Sequence, residues 1–313
     1  FSQNISLNSG HDFSLFNWSF SFNNSDRNNS GSENVSFQNS QLEVRYAIGR
    51  KYSIFARGGY SNNSFATNSN SSNNGISYTF GGQWEPSQRL RVQAGYGNNK
   101  FITIEISPFN RLHWITTYSN NDIGLNTGNT WNTELNYNTR RSEWTIRYSE
   151  DTTTTQQLLL NQQVVSTSNN TSPLFSRNTT LPTLTNEVFV SKTADISFSF
   201  QTGKSNISAN AYKTLRTFEL SGNDEKVTGL STSWNWKFLR RTNSNLRLGW
   251  QKTQSDGLNN FSDKRFNFSA SVTRNILARL NGSIEYRFVD QSSSDNSNQY
   301  SENRITATLS LQY

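Results

Sequence analysis

Residues Arg304–Tyr313 read RITATLSLQY and alternate without a break. Ile305, Ala307, Leu309, Leu311 and Tyr313 fall on one side, and Arg304, Thr306, Thr308, Ser310 and Gln312 on the other. A strand has period two, so this pattern makes one apolar and one polar face. Lipid outside and water inside ask for that pattern in a closed sheet, because only closure pairs every backbone group in hydrocarbon. The reading predicts an all-β fold: a transmembrane, antiparallel, up-and-down β-barrel of about 16–18 strands.

Mean hydropathy is −0.76, and no apolar run approaches the roughly 20 residues of a membrane helix. The average is a poor guide here, since only every second residue of a barrel strand touches lipid. Intrinsic disorder is the alternative for so much Asn, Ser and Thr, but aromatics make up 13% of the chain, against a disordered composition. There is no Cys, which removes disulfides, thiolate catalysis and thiolate metal sites together. No Met and no leader precede Phe1, as expected of a mature chain or of a fragment. The net charge of +7 is spread singly along strands rather than gathered in a basic patch, so nucleic acid is not the expected partner.

The same alternation runs upstream. Leu280, Ile284, Tyr286 and Phe288 point outward, with Asn281, Ser283, Glu285 and Arg287 inward. Trp234, Trp236 and Phe238, then Trp144, Ile146 and Tyr148, then Leu42, Val44 and Tyr46 form further outward sets, many ending in Tyr or Trp as an interfacial girdle requires. Short turns are expected near 49–51, 85–88, 107–110, 138–141, 202–204, 239–243 and 274–278, with Pro86 and Pro108 inside two of them. Longer Asn- and Ser-rich connections are expected on the opposite side, at 23–32, 61–75, 120–128, 255–260 and 291–300. The weakest strand is 205–220, where the alternation breaks near Tyr212 and predicts a bulge. About seventeen strands result if residues 1–8 form one. Bacterial barrels have even numbers, so either that segment does not span or an N-terminal strand is lacking from the single 1–313 barrel. Residues 151–186 form an outsized connection carrying Leu158, Leu159, Leu160, Val164 and Val165. Such apolar knots suit a loop that folds into the pore and constricts it, or one that packs on the rim or a partner.

The expected inward register collects Arg45, Arg57, Arg89, Arg91, Arg111, Arg147, Lys237, Arg247, Arg265, Arg287 and Arg304 against Glu43, Glu105, Glu134, Glu143 and Glu285. A water-filled lumen with that surplus would favour anions. The alternative is that Arg and Glu on neighbouring strands pair into ladders that stiffen the wall. His113 also falls inward. Some outer-membrane barrels are hydrolases using a His with Ser, Asn or Asp, but hydroxyls and amides are too abundant here for spacing to single out a partner, and His113 reads as a wall residue. No phosphate-binding loop, metal cluster or nucleophile motif is present, so no cofactor, metal or enzymatic activity is expected.

Four stretches, LEVRYAIGRKYSIFARGGY (Leu42–Tyr60), GGQWEPSQRLRVQAGYGNNKF (Gly81–Phe101), WTIRYSEDTTTTQQLLL (Trp144–Leu160) and EVFVSKTADISFSFQTGKSNISANAY (Glu187–Tyr212), resemble outer-membrane β-barrels associated with PEP-CTERM/exosortase and exopolysaccharide gene clusters. The terminal Leu309, Leu311 and Tyr313 resemble the signal read by the barrel-assembly machinery of Gram-negative bacteria. The resemblance implies an outer-membrane pore assisting polysaccharide export and further strands before the point matching Phe1; it implies no catalytic residues. Expected partners are therefore the lipid bilayer, the assembly machinery and an anionic polysaccharide. A barrel sheathing a lumen-filling protein, such as a secretion component or an electron-carrying cytochrome, is the alternative, and an outer-membrane hydrolase the third.

Overall fold

The computed structural model describes residues 2–9, 15–27, 35–64, 74–124, 126–154, 188–256, 260–277, 279–294 and 299–311. These form seventeen strands and, among the described residues, no helix. In order they are β1 (Ser2–Asn8), β2 (Phe16–Arg27), β3 (Val35–Ala47), β4 (Tyr52–Ser64), β5 (Gly75–Ser87), β6 (Leu90–Gly97), β7 (Asn99–Phe109), β8 (Leu112–Asn121) and β9 (Gly128–Asn138). Then follow β10 (Ser142–Thr154), β11 (Val188–Gln201), β12 (Ser205–Phe218), β13 (Asp224–Leu239), β14 (Thr242–Asp256), β15 (Phe261–Leu277), β16 (Leu280–Ser293) and β17 (Tyr300–Leu311). Each strand pairs antiparallel with the next, from Ser2↔Ser25 to Leu280↔Leu311, an unbroken up-and-down meander. Among the described residues no register joins β17 to β1, and β17 is exposed along its whole length. Both are odd-numbered and so run the same way; antiparallel closure takes an even number of strands.

The pairings confirm the two faces. Ile207↔Trp234, Trp144↔Phe198 and Phe268↔Phe288 lie on the apolar side, while Asn206↔Asn235, Glu143↔Ser199 and Ser269↔Arg287 lie on the polar side. Apolar side chains are left in the open: Ile305 is 75% exposed, Leu309 72% and Ile284 63%. A water-soluble sheet would cover such a face, whereas hydrocarbon covers it in a membrane. Cross-strand aromatics stitch the face together, with ring centroids 4.3 Å apart for Trp144 and Phe198; such pairs contribute about 0.5–1.5 kcal/mol each. Thr116 and Thr133 interrupt the apolar face for a reason. Their hydroxyls accept the indole N–H groups of Trp131 at 2.7 Å and Trp114 at 2.9 Å, donors that lipid cannot satisfy.

Several expected boundaries shift. Pro86 and Pro108 are not in the turns but in the last residues of β5 and β7, and the turns are only Gln88–Arg89 and Asn110–Arg111. The register slips between Trp84 and Ser87 and between Ile106 and Phe109. An irregular pair needs no donor from the proline, so the strand can run on through it. On the opposite side strands extend into the expected loops, β2 to Arg27, β4 to Ser64 and β16 to Ser293. The bulge expected near Tyr212 is absent: β12 keeps continuous register with both neighbours. The alternation breaks there because Tyr212 is on the polar face, lying over Gly229, where a Cβ would collide with the phenol ring. Phe55 and Phe101 do the same over the directly paired Gly81 and Gly95, their rings meeting 5.8 Å apart above the two glycines.

Candidate functional site: the polar wall and the basic rim

On the polar face of β3–β7 charged side chains and one amide form a continuous chain of contacts. Glu43 takes Arg45 at 2.8 Å and Arg57 at 2.6 Å. Arg45 also donates to Gln83, Gln83 donates to Glu85 at 2.6 Å, and Arg91 ties Glu85 to Glu105, the latter at 2.8 Å. The register makes this possible, since Glu43↔Arg57 and Arg91↔Glu105 are directly opposed. Farther on, Glu134↔Arg147 closes at 2.9 Å, and Asn136 donates to the same carboxylate at 2.7 Å. Arg57 additionally lies 4.8 Å above the Phe101 ring. Each of these cations is held by a carboxylate directly opposite it on a neighbouring strand or two residues along its own; they brace the wall.

The sequence reading missed the carboxylates that balance them. Glu85, Asp195, Glu225, Asp263 and Glu302 also face the polar side, as their pairing with Gln83, Arg147, Arg216, Ser293 and Val289 shows. Arg89 and Arg111 leave the count altogether, because they sit in turns and not on strands. The wall is therefore close to charge balance among the described residues, a correction to the expected cationic surplus. Period-two parity applied to every acidic residue finds Asp195 directly. Glu85 was hidden by the misplaced turn, and Arg216 and Glu225 by the expected bulge.

The most deeply buried of these groups are Arg216 and Glu225, at 2% and 1% side-chain exposure, ion-paired at the long-loop end of β12 and β13. Phe189, Phe218 and Val227 surround them on the same face, and Arg216 lies 5.8 Å over the Phe189 ring. On β14–β17 the arginines are spaced differently. Arg247, Ser269, Arg287 and Arg304 lie in one cross-strand row, Arg287 directly opposite Arg304. Arg304 reaches Glu302 only at 3.8 Å, Arg265 donates to Asn267 at 3.3 Å, and Glu285 makes no ion pair among the described residues. Between the charges the wall is hydroxyl and amide: Ser199, Ser208 and Ser233 share one row, with Ser208 and Ser233 hydroxyls 2.6 Å apart, and Thr103 and Thr117 hydroxyls 2.9 Å apart.

A separate group of cations without ion pairs among the described residues stands in the short turns. Arg50 and Lys51, Arg89, Arg111, Arg140 and Arg141, Lys204, Arg240 and Arg241, and Arg279 occupy seven successive turns on one side of the sheet. All are exposed, none makes an ion pair among the described residues, and no Asp or Glu lies in any of these turns. Lys237 sits just inside this rim, exposed, after the register slip at Trp236. Adjacent Tyr52, Trp84, Trp114, Trp144 and Trp236 on the apolar face mark the membrane boundary below it.

His113 faces the polar side near this rim. Its Nδ1 is 3.0 Å from the Ser107 hydroxyl and its Nε2 is 4.0 Å from Glu105. Ser, His and Glu are thus gathered, yet the last distance exceeds a hydrogen bond and Arg91 already holds that carboxylate, so the imidazole has no orienting acid. Leu309 and Leu311 lie exposed on the apolar face of β17; Tyr313, the apolar knots Leu158–Leu160 with Val164 and Val165, and His11 lie outside the described residues.

No family model and no curated protein matches the sequence. Among solved structures, a loop-deletion mutant of OmpT, an outer membrane protein of Vibrio cholerae, is similar at 6% identity over 99% of each chain, with a TM-score of 0.39. An anion-selective porin from Comamonas acidovorans is 8% identical over 99% of this chain and 98% of its own, TM-score 0.37. A bacterial polysaccharide outer membrane secretin is 7% identical over 96% and 98%, TM-score 0.38. At these values the assignment rests on the strand registers and the two faces rather than on the likeness. The chain has the architecture of an outer-membrane β-barrel: antiparallel, up-and-down, one face for lipid and one for water.

Proposed function

We infer that the protein is a porin-like outer-membrane channel and an exit port for an anionic polysaccharide. The observation that carries this reading is the rim of unpaired cations on the short turns. In outer-membrane barrels the short turns are periplasmic, so the rim stands at the mouth that an exported chain meets first. Unpaired charge at a narrow mouth raises the local concentration of polyanions. Past the rim, a balanced wall of Ser, Thr and Asn offers sugar hydroxyls exchangeable hydrogen bonds without the strong fixed charge that would hold a polyanion in place. The resemblance of residues 42–60, 81–101, 144–160 and 187–212 to exopolysaccharide-associated barrels supports the same substrate class.

The test is single-channel recording in a planar bilayer, with polygalacturonate or neutral dextran added to one side at a time. The expected result is steady current, interrupted by polygalacturonate from the short-turn side and much less by dextran. A silent bilayer would favour the sheath reading and turn the search to a partner filling the lumen. The Ser107–His113 contact supports the hydrolase reading less well, and His113→Ala is expected to leave conductance and polyanion block unchanged.

A further inference from the structure

The apolar face carries a second basic feature, at the opposite end from the turns. On successive strands, Lys192 (β11), Lys213 (β12), Lys226 (β13), Lys252 (β14) and Lys264 (β15) all have the parity of the lipid-facing side chains. Lys213, Thr228, Lys252 and Lys264 form one cross-strand row, and Lys252 is directly opposite Lys264. Four strands at about 4.8 Å spacing place the row within roughly 14 Å. Like charges directly opposed weaken a sheet, so the arrangement asks for an anion between them. Lys192 is 3.7 Å from Glu150. Asp224, Asp256 and Asp290 share this face, but Lys213, Lys226, Lys252 and Lys264 make no ion pair among the described residues.

Height identifies the ligand. Two residues below the row on the same face come Leu230, Trp250 and Phe266, the top of the apolar band. The lysines therefore stand one step beyond the hydrocarbon, at the level of lipid headgroups, on the long-loop side that is extracellular in outer-membrane barrels. They project toward lipid and not toward the lumen, so neither the solute nor a lumen-filling partner can reach them. We propose that Lys213, Lys252 and Lys264, flanked by Lys192 and Lys226, bind the phosphate groups of an outer-leaflet phosphorylated glycolipid. A disaccharide headgroup with two phosphates spans neighbouring lysines of the row, and its acyl chains would lie along Trp250 and Phe266.

Diphosphoryl lipid A is the probe, titrated into the protein folded in neutral detergent and read by native mass spectrometry. The expected result is one retained lipid A, at least tenfold weaker binding in Lys252→Gln/Lys264→Gln, and unchanged binding in Arg240→Gln/Arg241→Gln at the other rim. Heat-modified gel mobility confirms that each variant is folded; Lys213→Gln alone serves if the double variant is not. Equal binding by wild type and lysine variants overturns the proposal, as does competition by millimolar inorganic phosphate or equal retention of phosphatidylglycerol. The site is independent of the channel reading, since lipid A retention needs no conductance and conductance needs no lipid A.

Discussion

The polar wall and the basic rim use the same residue types for opposite ends. On the wall, Arg45, Arg57, Arg91 and Arg147 are each within 3 Å of a carboxylate or amide that fixes them. On the rim, ten Lys and Arg side chains are exposed and lack ion pairs among the described residues. A paired cation stiffens a strand and cancels its own field; an unpaired one projects it. Breaking the wall should therefore cost stability and spare selectivity, and neutralising the rim should do the reverse.

The largest effect is expected at the wall's buried extreme. Arg216→Met or Glu225→Gln leaves one charge behind in a site with almost no solvent contact, which costs about 3–5 kcal/mol. Arg216→Met/Glu225→Leu together should cost far less, because no uncompensated charge is left. Urea unfolding followed by heat-modified mobility measures both. If the double variant is as unstable as either single one, the pair acts through something other than charge compensation.

Next in size is the packing beneath the wall charges. A Cβ at Gly81 would run into the Ala94 carbonyl and the Phe55 ring, whereas at Gly58 it meets nothing within 4 Å. Gly81→Ala should destabilise by about 1–3 kcal/mol, and Gly58→Ala should change little. The two glycines are 23 positions apart on adjacent strands, so the contrast isolates the close contacts around Gly81, backbone and ring together, from the strand propensity of alanine. Smaller again is Glu43→Gln, which removes the carboxylate shared by Arg45 and Arg57. The site is partly solvated, so screening reduces the loss to about 1 kcal/mol. The reversal potential in a salt gradient should barely move.

How much of this was legible depended on which physical signal carried it. The faces of β3, β10, β13, β16 and β17 were readable because every lipid contact repeats at period two, and Trp234, Trp144 and Leu309 all lie on the face their parity assigns. Strand ends were not, since beyond the hydrocarbon nothing enforces alternation: β5 runs through Pro86 and β16 runs to Ser293. The pairing of the wall was only half visible. Glu43 opposite Arg57 needs a correct register between two strands, and register depends on turn length, which was misjudged at Gln88–Arg89 and Asn110–Arg111. Those errors moved Arg89 and Arg111 from rim to wall and hid Glu85, making a balanced wall look cationic. Tyr212 defeated the parity rule for another reason. An aromatic on the polar face reads as a register fault unless the glycine it covers, 17 residues later, is known to lie beside it.

The smallest stability change and the clearest functional one belong to the rim. Arg140→Gln/Arg141→Gln together with Arg240→Gln/Arg241→Gln removes four exposed cations from two turns and leaves every strand pair intact. Unfolding midpoints should stay within error, as expected for exposed surface substitutions. Polygalacturonate block from the short-turn side should weaken, and the residual block should respond less steeply to salt, because fewer fixed charges are left to screen. Wild type near 1 M salt, where screening acts over only about 3 Å, should approach the behaviour of the variant at low salt. Should the variant block as well as wild type at every ionic strength, attraction resides in the Arg247–Arg287–Arg304 row of the wall, and the division between a structural wall and a functional rim is wrong.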